Sequence, residues 1–247
     1  MNMKLLSIGN SFSQDAQKWL HDAAVLNGFE LETVNLYIGG CSLETHWGNV
    51  VHDRADYDLE RNGGEAERKI GISEALQLHA WDVITVQQVS QLSGIPASYD
   101  PYLENLAAYV RTHCPNAKLY FHQTWAYETD STHGGFALYE NDQKKMFDRI
   151  VETTTQMANR IQAELLPVGT VVQHIRETVP EFDYANGGES LCRDGFHLSL
   201  DYGRYIAAVT WLRVLSGKPV KVDRFRDFNA EKTEKIVAAV NMLCAER

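Results

Sequence analysis

The stretch KLLSIGNSFSQDAQKWL, residues 4–20, contains the pattern that decides the fold. Its first residues, KLLSI, form a short apolar run that predicts a buried β-strand. Gly9 and Asn10 end this run. Apolar residues then recur at helical spacing, at Phe12, Ala16, Trp19, Leu20, Ala23 and Leu26, and Asn27-Gly28 ends the repeat. A strand followed directly by an amphipathic helix is the first half of a strand–helix–strand unit.

The same alternation continues along the rest of the chain. Strand-like runs lie at 4–8, 30–38, 82–87, 117–123 and 163–169, and further helical patterns lie at 65–80, 100–113, 139–162, 170–179, 200–216 and 229–245. This order predicts an α/β protein, a three-layer α/β/α sandwich with a central, mainly five-stranded parallel sheet. No repeat or linker divides residues 1–247, so we expect one domain.

Two irregular regions, 41–64 and 124–138, follow predicted strands. The first is rich in His, Trp, Asn and Gly, and the second reads TWAYETDSTHGGFAL. The carboxyl ends of parallel strands meet at one edge of a sheet, and open α/β sheets bind their ligands there. We therefore expect functional groups in these two regions.

The composition narrows the classes of partner. The 247-residue chain carries a net charge of -10, and nucleic acids and anionic membranes repel an acidic protein. No run of about 18 apolar residues predicts a membrane span, and the apolar run at the N-terminus is shorter than the core of a secretory signal. Four widely separated cysteines are typical of reduced thiols, so we expect a cytoplasmic protein that acts on a small molecule.

Ser11 has two interpretations. It lies between a strand and a helix, where S-x-x-Q at 11–14 matches a helix-capping box. The same position places a hydroxyl at the carboxyl edge of the sheet, beside the unpaired N–H groups of a helix start. Asp194 and His197 favour the second interpretation, because a nucleophilic serine needs an imidazole base and the base needs a carboxylate. Gly195 allows the chain to turn back between them.

Four motifs follow the predicted strands in a characteristic order. They are GNSFS at 9–13, IGGCS at 38–42, QQVSQ at 87–91 and DGFH at 194–197. Together they resemble the SGNH/GDSL hydrolase superfamily, and their full spelling is similar to a bacterial branch known only as a domain of unknown function. The resemblance implies a flavodoxin-like hydrolase fold with Ser11 as nucleophile, His197 as base, Asp194 as the residue that orients it and Gly40 as an oxyanion-hole donor.

The third motif departs from the superfamily, which has an asparagine amide at this point. Gln87 carries the same donor on a longer stem and is the first polar residue after an apolar strand, so it is our first choice for an oxyanion donor and Gln88 the second. The alternative is that both glutamines bond to loop backbone at a strand end. His46 and His52 match no usual metal-ligand spacing, and we expect neither a metal nor a cofactor.

Four side chains in the two irregular regions have the chemistry of a sugar pocket, namely Trp47, Trp125, Tyr127 and His133. They are equally suited to packing within the loops. The leading hypothesis is a serine esterase that hydrolyses a small acyl ester, an acetyl ester of a carbohydrate above all. The alternative from another class is a non-catalytic module that binds a carbohydrate or acyl ligand. A nucleotide binder is disfavoured because no G-x-G-x-x-G or G-K-[ST] occurs. The oligomeric state is left open.

Overall fold

A seven-stranded sheet forms the centre of the computed structural model, which describes residues 2–221 and 224–245. The strands are β1 (Met3–Gly9), β2 (Leu31–Tyr37), β3 (Tyr57–Arg61), β4 (Ala66–Ile70), β5 (Val83–Val86), β6 (Lys118–His122) and β7 (Glu164–Leu166). Their order in the sheet is β4-β3-β2-β1-β5-β6-β7. Five neighbouring strands are parallel, namely β2, β1, β5, β6 and β7. Strands β3 and β4 add an antiparallel edge beside β2. The expected five-stranded parallel sheet is confirmed, and the hairpin extends it.

Helices cover both faces of the sheet. They are α1 (Ser11–Gln17), α2 (Leu20–Leu26), α3 (Leu43–Val51), α4 (Ile72–Gln77), α5 (Tyr102–His113), α6 (Gln143–Arg160), α7 (Val168–Thr178), α8 (Tyr202–Ser216) and α9 (Ala230–Leu243). One layer contains α1, α2, α7, α8 and α9, the other contains α3, α4 and α5, and α6 contributes residues to both cores. The predicted three-layer α/β/α sandwich is therefore confirmed. No helix within the described residues is both long and apolar enough to span a membrane.

Strand β1 shows why the short apolar runs form the centre of the molecule. Leu5 belongs to the core on the α8 side, whereas Leu6 and Ile8 belong to the core on the α5 side, and all three are completely buried. Successive side chains of a strand point to opposite faces, so a strand covered on both sides is mainly apolar. The runs at β5 and β6 have the same cause.

Three predicted segments differ from the structure. The helix expected from Phe12 to Leu26 is interrupted at Trp19, where the backbone leaves helical geometry and the indole donates to Leu200 O. The region 41–64 contains α3 and β3 rather than irregular chain, and the helix expected over 65–80 is replaced by β4 followed by the shorter α4. Strand β4 is a charged edge strand with four of its five residues exposed, so no apolar alternation marks it.

Candidate active site

Ser11, His197 and Asp194 form a continuous hydrogen-bonded chain. Ser11 Oγ lies 2.8 Å from His197 Nε2, and His197 Nδ1 lies 2.7 Å from Asp194 Oδ2. An imidazole bonded to a carboxylate through Nδ1 carries its proton there, which leaves Nε2 free to accept the proton of the serine hydroxyl. This is the arrangement of a nucleophile, a base and the group that orients the base.

The start of α1 leaves the Ser11 hydroxyl available for this contact. Asn10 caps the helix, because its Oδ1 accepts from Phe12 N at 3.0 Å while Ser13 Oγ accepts from Asn10 N at 3.1 Å. The capping box is therefore shifted by one residue, and the interpretation of Ser11 as the cap is wrong. Asn10 escaped the sequence analysis although asparagine is a preferred N-cap residue and directly precedes the serine.

A tight turn at residues 193–198, the catalytic turn, brings Asp194 to the ring of His197. Cys192 and Leu198 pair across the turn, Arg193 N donates to His197 O at 2.9 Å, and Gly195 adopts a φ of +82° that favours glycine. Asp194 Oδ1 also accepts from the backbone N–H of His197 at 2.8 Å. Partial burial acts to raise the pKa of the Asp194 carboxyl, but the bonds from the His197 side chain and backbone outweigh it and lower that pKa. The carboxylate therefore stays ionised beside the ring.

Two backbone N–H groups beside the candidate nucleophile are left for an oxyanion, and the donor role of Gly40 stays a prediction. Gly40 follows β2 with a φ of +64°, and the loop is fixed from the Ser11 side because Asn10 Nδ2 donates to Cys41 O at 2.9 Å. Within the described residues, neither Ser11 N nor Gly40 N donates to a protein acceptor. A helix start and a glycine loop can thus present two free N–H groups to one developing charge.

Gln87 lies in a buried chain of hydrogen bonds, and its role as an oxyanion donor stays a prediction. Its Nε2 donates to Asn10 Oδ1 at 2.7 Å, and its Oε1 accepts from His122 Nδ1 at 2.7 Å. Gln87 and His122 are buried, and burial lowers the pKa of His122 to about 3. The imidazole is therefore neutral, and Gln87 joins the ends of β1, β5 and β6 in one buried chain of hydrogen bonds.

Gln88, the second candidate, is also committed to structure. Its Nε2 donates to Ser98 O at 2.9 Å and to Ser98 Oγ at 3.2 Å, which uses both N–H groups of the amide. Its Oε1 accepts from the backbone N–H groups of Leu43 and Val89. The expectation that Gln88 is an oxyanion donor is therefore wrong, and the alternative, that it bonds to loop backbone, is confirmed. The sequence at the end of β5 could not reveal this role, because the acceptor Ser98 lies ten residues further along the chain.

The four residues expected in a sugar pocket divide into two groups. Trp125 and Tyr127 are completely buried, so they do not line an open pocket. Trp125 stacks on Phe12 with ring centroids 4.1 Å apart and donates from Nε1 to Phe196 O at 2.7 Å, which makes it a support of the catalytic turn. The expectation that these two rings stack on a sugar is therefore wrong.

Trp47 and His133 remain partly accessible. Trp47 lies on α3, and His133 lies 4.7 Å from Phe196 between ring centroids, next to the catalytic turn. His133 Nδ1 accepts from Gly135 N at 3.0 Å, so the neutral ring carries its proton on Nε2. Burial and then the charge of His197 lower the pKa of His133, which favours this neutral form. Phe196 itself was not singled out in the sequence.

The comparisons with known proteins fit this geometry. The family described as a domain of unknown function (DUF4886) matches residues 4–243, nearly the whole chain. The chain belongs to the DUF4886 family. A crystal structure of a DUF4886 protein from Bacteroides uniformis is 34% identical, with a TM-score of 0.89 over 100% of this chain and 97% of that one. A comparison with curated proteins found no match to this chain.

More distant solved structures share this fold, and they include proteins described as hydrolases. A provisionally assigned SGNH hydrolase from Slackia heliotrinireducens is 20% identical, with a TM-score of 0.59 over 87% of this chain and 100% of that one. A catalytic mutant of an acetylxylan esterase from Geobacillus stearothermophilus is 13% identical, with a TM-score of 0.55 over 86% and 94% of the two chains. At these identities the likeness shows a shared fold.

Proposed function

We propose that this protein is a serine esterase that removes a small acyl group, acetyl above all, from a carbohydrate. The observation that carries the proposal is the 2.8 Å contact between Ser11 Oγ and His197 Nε2. In most capped helix starts a serine bonds to its own backbone, but here Asn10 takes that role and the hydroxyl faces a base.

The mechanism follows from the positions of these groups. Ser11 Oγ attacks the ester carbonyl carbon while His197 Nε2 takes its proton, and Asp194 holds the resulting imidazolium. The oxyanion of the tetrahedral intermediate accepts from Ser11 N and Gly40 N, and each preorganised donor is worth roughly 2.7–4 kcal/mol. His197 then protonates the departing alcohol. A water molecule then gives a proton to His197 and attacks the acyl-serine carbonyl carbon. The bond from that carbon to Ser11 Oγ breaks, the carboxylic acid leaves, and His197 returns the proton to Ser11 Oγ.

The choice of substrate rests on two weaker supports. One structure of similar fold is an acetylxylan esterase, which is an argument from analogy. His133 presents an N–H donor beside the catalytic turn, and Trp47 is a partly accessible aromatic ring on α3, the helix that follows the Gly40 loop. Hydroxyl groups and the apolar faces of a sugar ring suit such a donor and such a ring.

Hydrolysis of p-nitrophenyl acetate tests the proposal. We expect Ser11→Ala to abolish the activity and Asp194→Asn to lower kcat on the order of 10⁴-fold, because the base loses its tautomer and orientation. The matched control is Ser216→Ala at the end of α8, which should keep the wild-type rate. A Ser11→Ala protein that hydrolyses the ester at the wild-type rate overturns the proposal.

Labelling by a fluorophosphonate probe separates catalysis from binding. We expect one label on Ser11, located by mass spectrometry, and none in Ser11→Ala. Acetate release from acetylated xylooligosaccharides, compared with butyrate and decanoate esters, then tests the substrate class. Saturable binding of these sugars with no label and no hydrolysis supports the non-catalytic binding module and contradicts the esterase.

A further inference from the structure

Asp15 is a buried carboxylate one helical turn after Ser11 on α1. Its side chain is completely inaccessible to solvent. Because residues four apart lie on the same face of a helix, the carboxylate and the Ser11 hydroxyl face the same part of the molecule. A buried charge is costly unless it is paired and hydrogen-bonded, so the partners of Asp15 reveal its role.

The partners of Asp15 come from the catalytic turn and from α8. Arg193 Nη1 lies 3.0 Å from Asp15 Oδ1 and 2.9 Å from Oδ2, and Leu198 N donates to Oδ2 at 3.0 Å. Arg204 Nε donates to Oδ1 at 2.8 Å. Arg193 and Leu198 directly flank the segment that carries Asp194 and His197. Both ends of the catalytic turn are thus attached to one carboxylate.

Arg193 closes this arrangement from within the turn. The same Nη1 that contacts Asp15 also donates to Leu198 O, and Arg193 N donates to His197 O at 2.9 Å. The guanidinium therefore ties the first residue of the turn to the last one while it holds Asp15. Charge-assisted bonds of this kind are stronger than neutral ones and fix geometry as well as distance.

We propose that Asp15 is a positioning residue that holds the Asp194–His197 turn against α1, so that His197 Nε2 stays within hydrogen-bond distance of Ser11 Oγ. Arg193 transmits this restraint to the turn. Arg204 pairs with the same carboxylate from α8, and within the described residues its side chain makes no hydrogen bond to residues 193–198. The expected kinetic effect rests on the proposed esterase function, whereas the expected effect on the turn does not.

A matched pair of arginine variants tests the proposal. Arg193→Gln and Arg204→Gln each remove one guanidinium from Asp15, so we expect similar falls in Tm. Only Arg193→Gln should lower kcat for p-nitrophenyl acetate, by at least tenfold with KM unchanged within twofold, and Arg204→Gln should stay within threefold of wild type. Asp15→Asn should show the kinetic loss of Arg193→Gln together with a larger fall in Tm.

Proton NMR gives a reading that does not depend on turnover. The proton shared by His197 Nδ1 and Asp194 Oδ2 should give a low-field resonance in the wild type and in Arg204→Gln. We expect it to broaden or vanish in Arg193→Gln, as it should in Asp194→Asn. Equal kcat and an equal resonance in the two arginine variants overturn the positioning role. Absence of Ser11-dependent hydrolysis in the wild type instead overturns the esterase, and the NMR comparison still decides the role of Asp15.

Discussion

Gln87 links two parts of the candidate site through its side-chain amide. Since its Nε2 donates to Asn10 Oδ1, its Oε1 must accept, and His122 supplies the proton from Nδ1. Asn10 passes the restraint on to the loop after β2, because its Nδ2 donates to Cys41 O. One residue at the end of β5 thereby fixes the backbone on either side of the two free N–H donors.

Gln87→Met distinguishes this structural role from an oxyanion role. Methionine has a similar length but leaves His122 Nδ1 without an acceptor, so we expect the free energy of unfolding to fall by about 1–3 kcal/mol. Urea denaturation measures this change, with the exposed Gln77→Met as the control. Unchanged stability together with a 10²–10³-fold fall in kcat would instead identify Gln87 as an oxyanion donor.

Two turns of similar backbone geometry end different elements. Gly28 follows α2 with a φ of +67°, and Gly40 follows β2 with a φ of +64°. A Cβ at either position would meet no atom within 4 Å, so only the backbone conformation opposes a side chain. Substitutions at the two glycines therefore distinguish the free-energy cost of a left-handed side-chain residue from an effect on the function of the Gly40 loop.

Gly28→Ala and Gly40→Ala should each lower the free energy of unfolding by about 1–2 kcal/mol, the cost of a left-handed alanine. Only Gly40→Ala should also lower kcat, because relaxation of that residue turns its N–H away from the oxyanion. Thermal denaturation and p-nitrophenyl acetate kinetics on both variants measure the two effects. A Gly40→Ala enzyme with wild-type kcat and lowered stability contradicts the role of that N–H.

The elements that sequence patterns predict well are those covered on both faces. Strands β1, β5 and β6 are mainly apolar because helices pack on either side, and α5 and α6 end within a few residues of their expected bounds. Strand β4 was missed because an exposed edge strand has no apolar alternation. The break at Trp19 was missed because the acceptor of its indole, Leu200 O, is distant in sequence.

At the scale of the whole molecule, the sheet assembles a site from distant parts of the chain. Ser11 and His197 are 186 positions apart, and their motifs still predicted that they meet. The burial of Trp125 and Tyr127 was not predictable in this way, because it depends on how the segment after β6 folds against α1. Motif order thus predicted the proposed reacting groups, whereas the residues that support them depend on tertiary packing.

Two buried histidines make the stability of the folded protein depend on pH. His46 and His122 are both completely buried, and burial lowers the pKa of each to about 3. The unfolded chain binds these protons below a pH of about 6.5, whereas the folded chain does not. Stability from the two neutral rings is therefore fully present above that pH and is lost as the pH falls toward 3.

This difference in proton binding predicts how steeply the free energy of unfolding changes with pH. Each histidine should contribute about 1.4 kcal/mol per pH unit between pH 5.5 and 4.5, where the unfolded state binds one more proton. Urea denaturation at these two pH values should show that slope reduced by this amount in His122→Gln and in His46→Gln, and by twice as much in the double variant. Carboxylates titrate alike in all four proteins, so they cancel in the comparison. Parallel stability curves for the wild type and His122→Gln would mean that the folded state takes up this proton, and would contradict a neutral His122 bonded to Gln87.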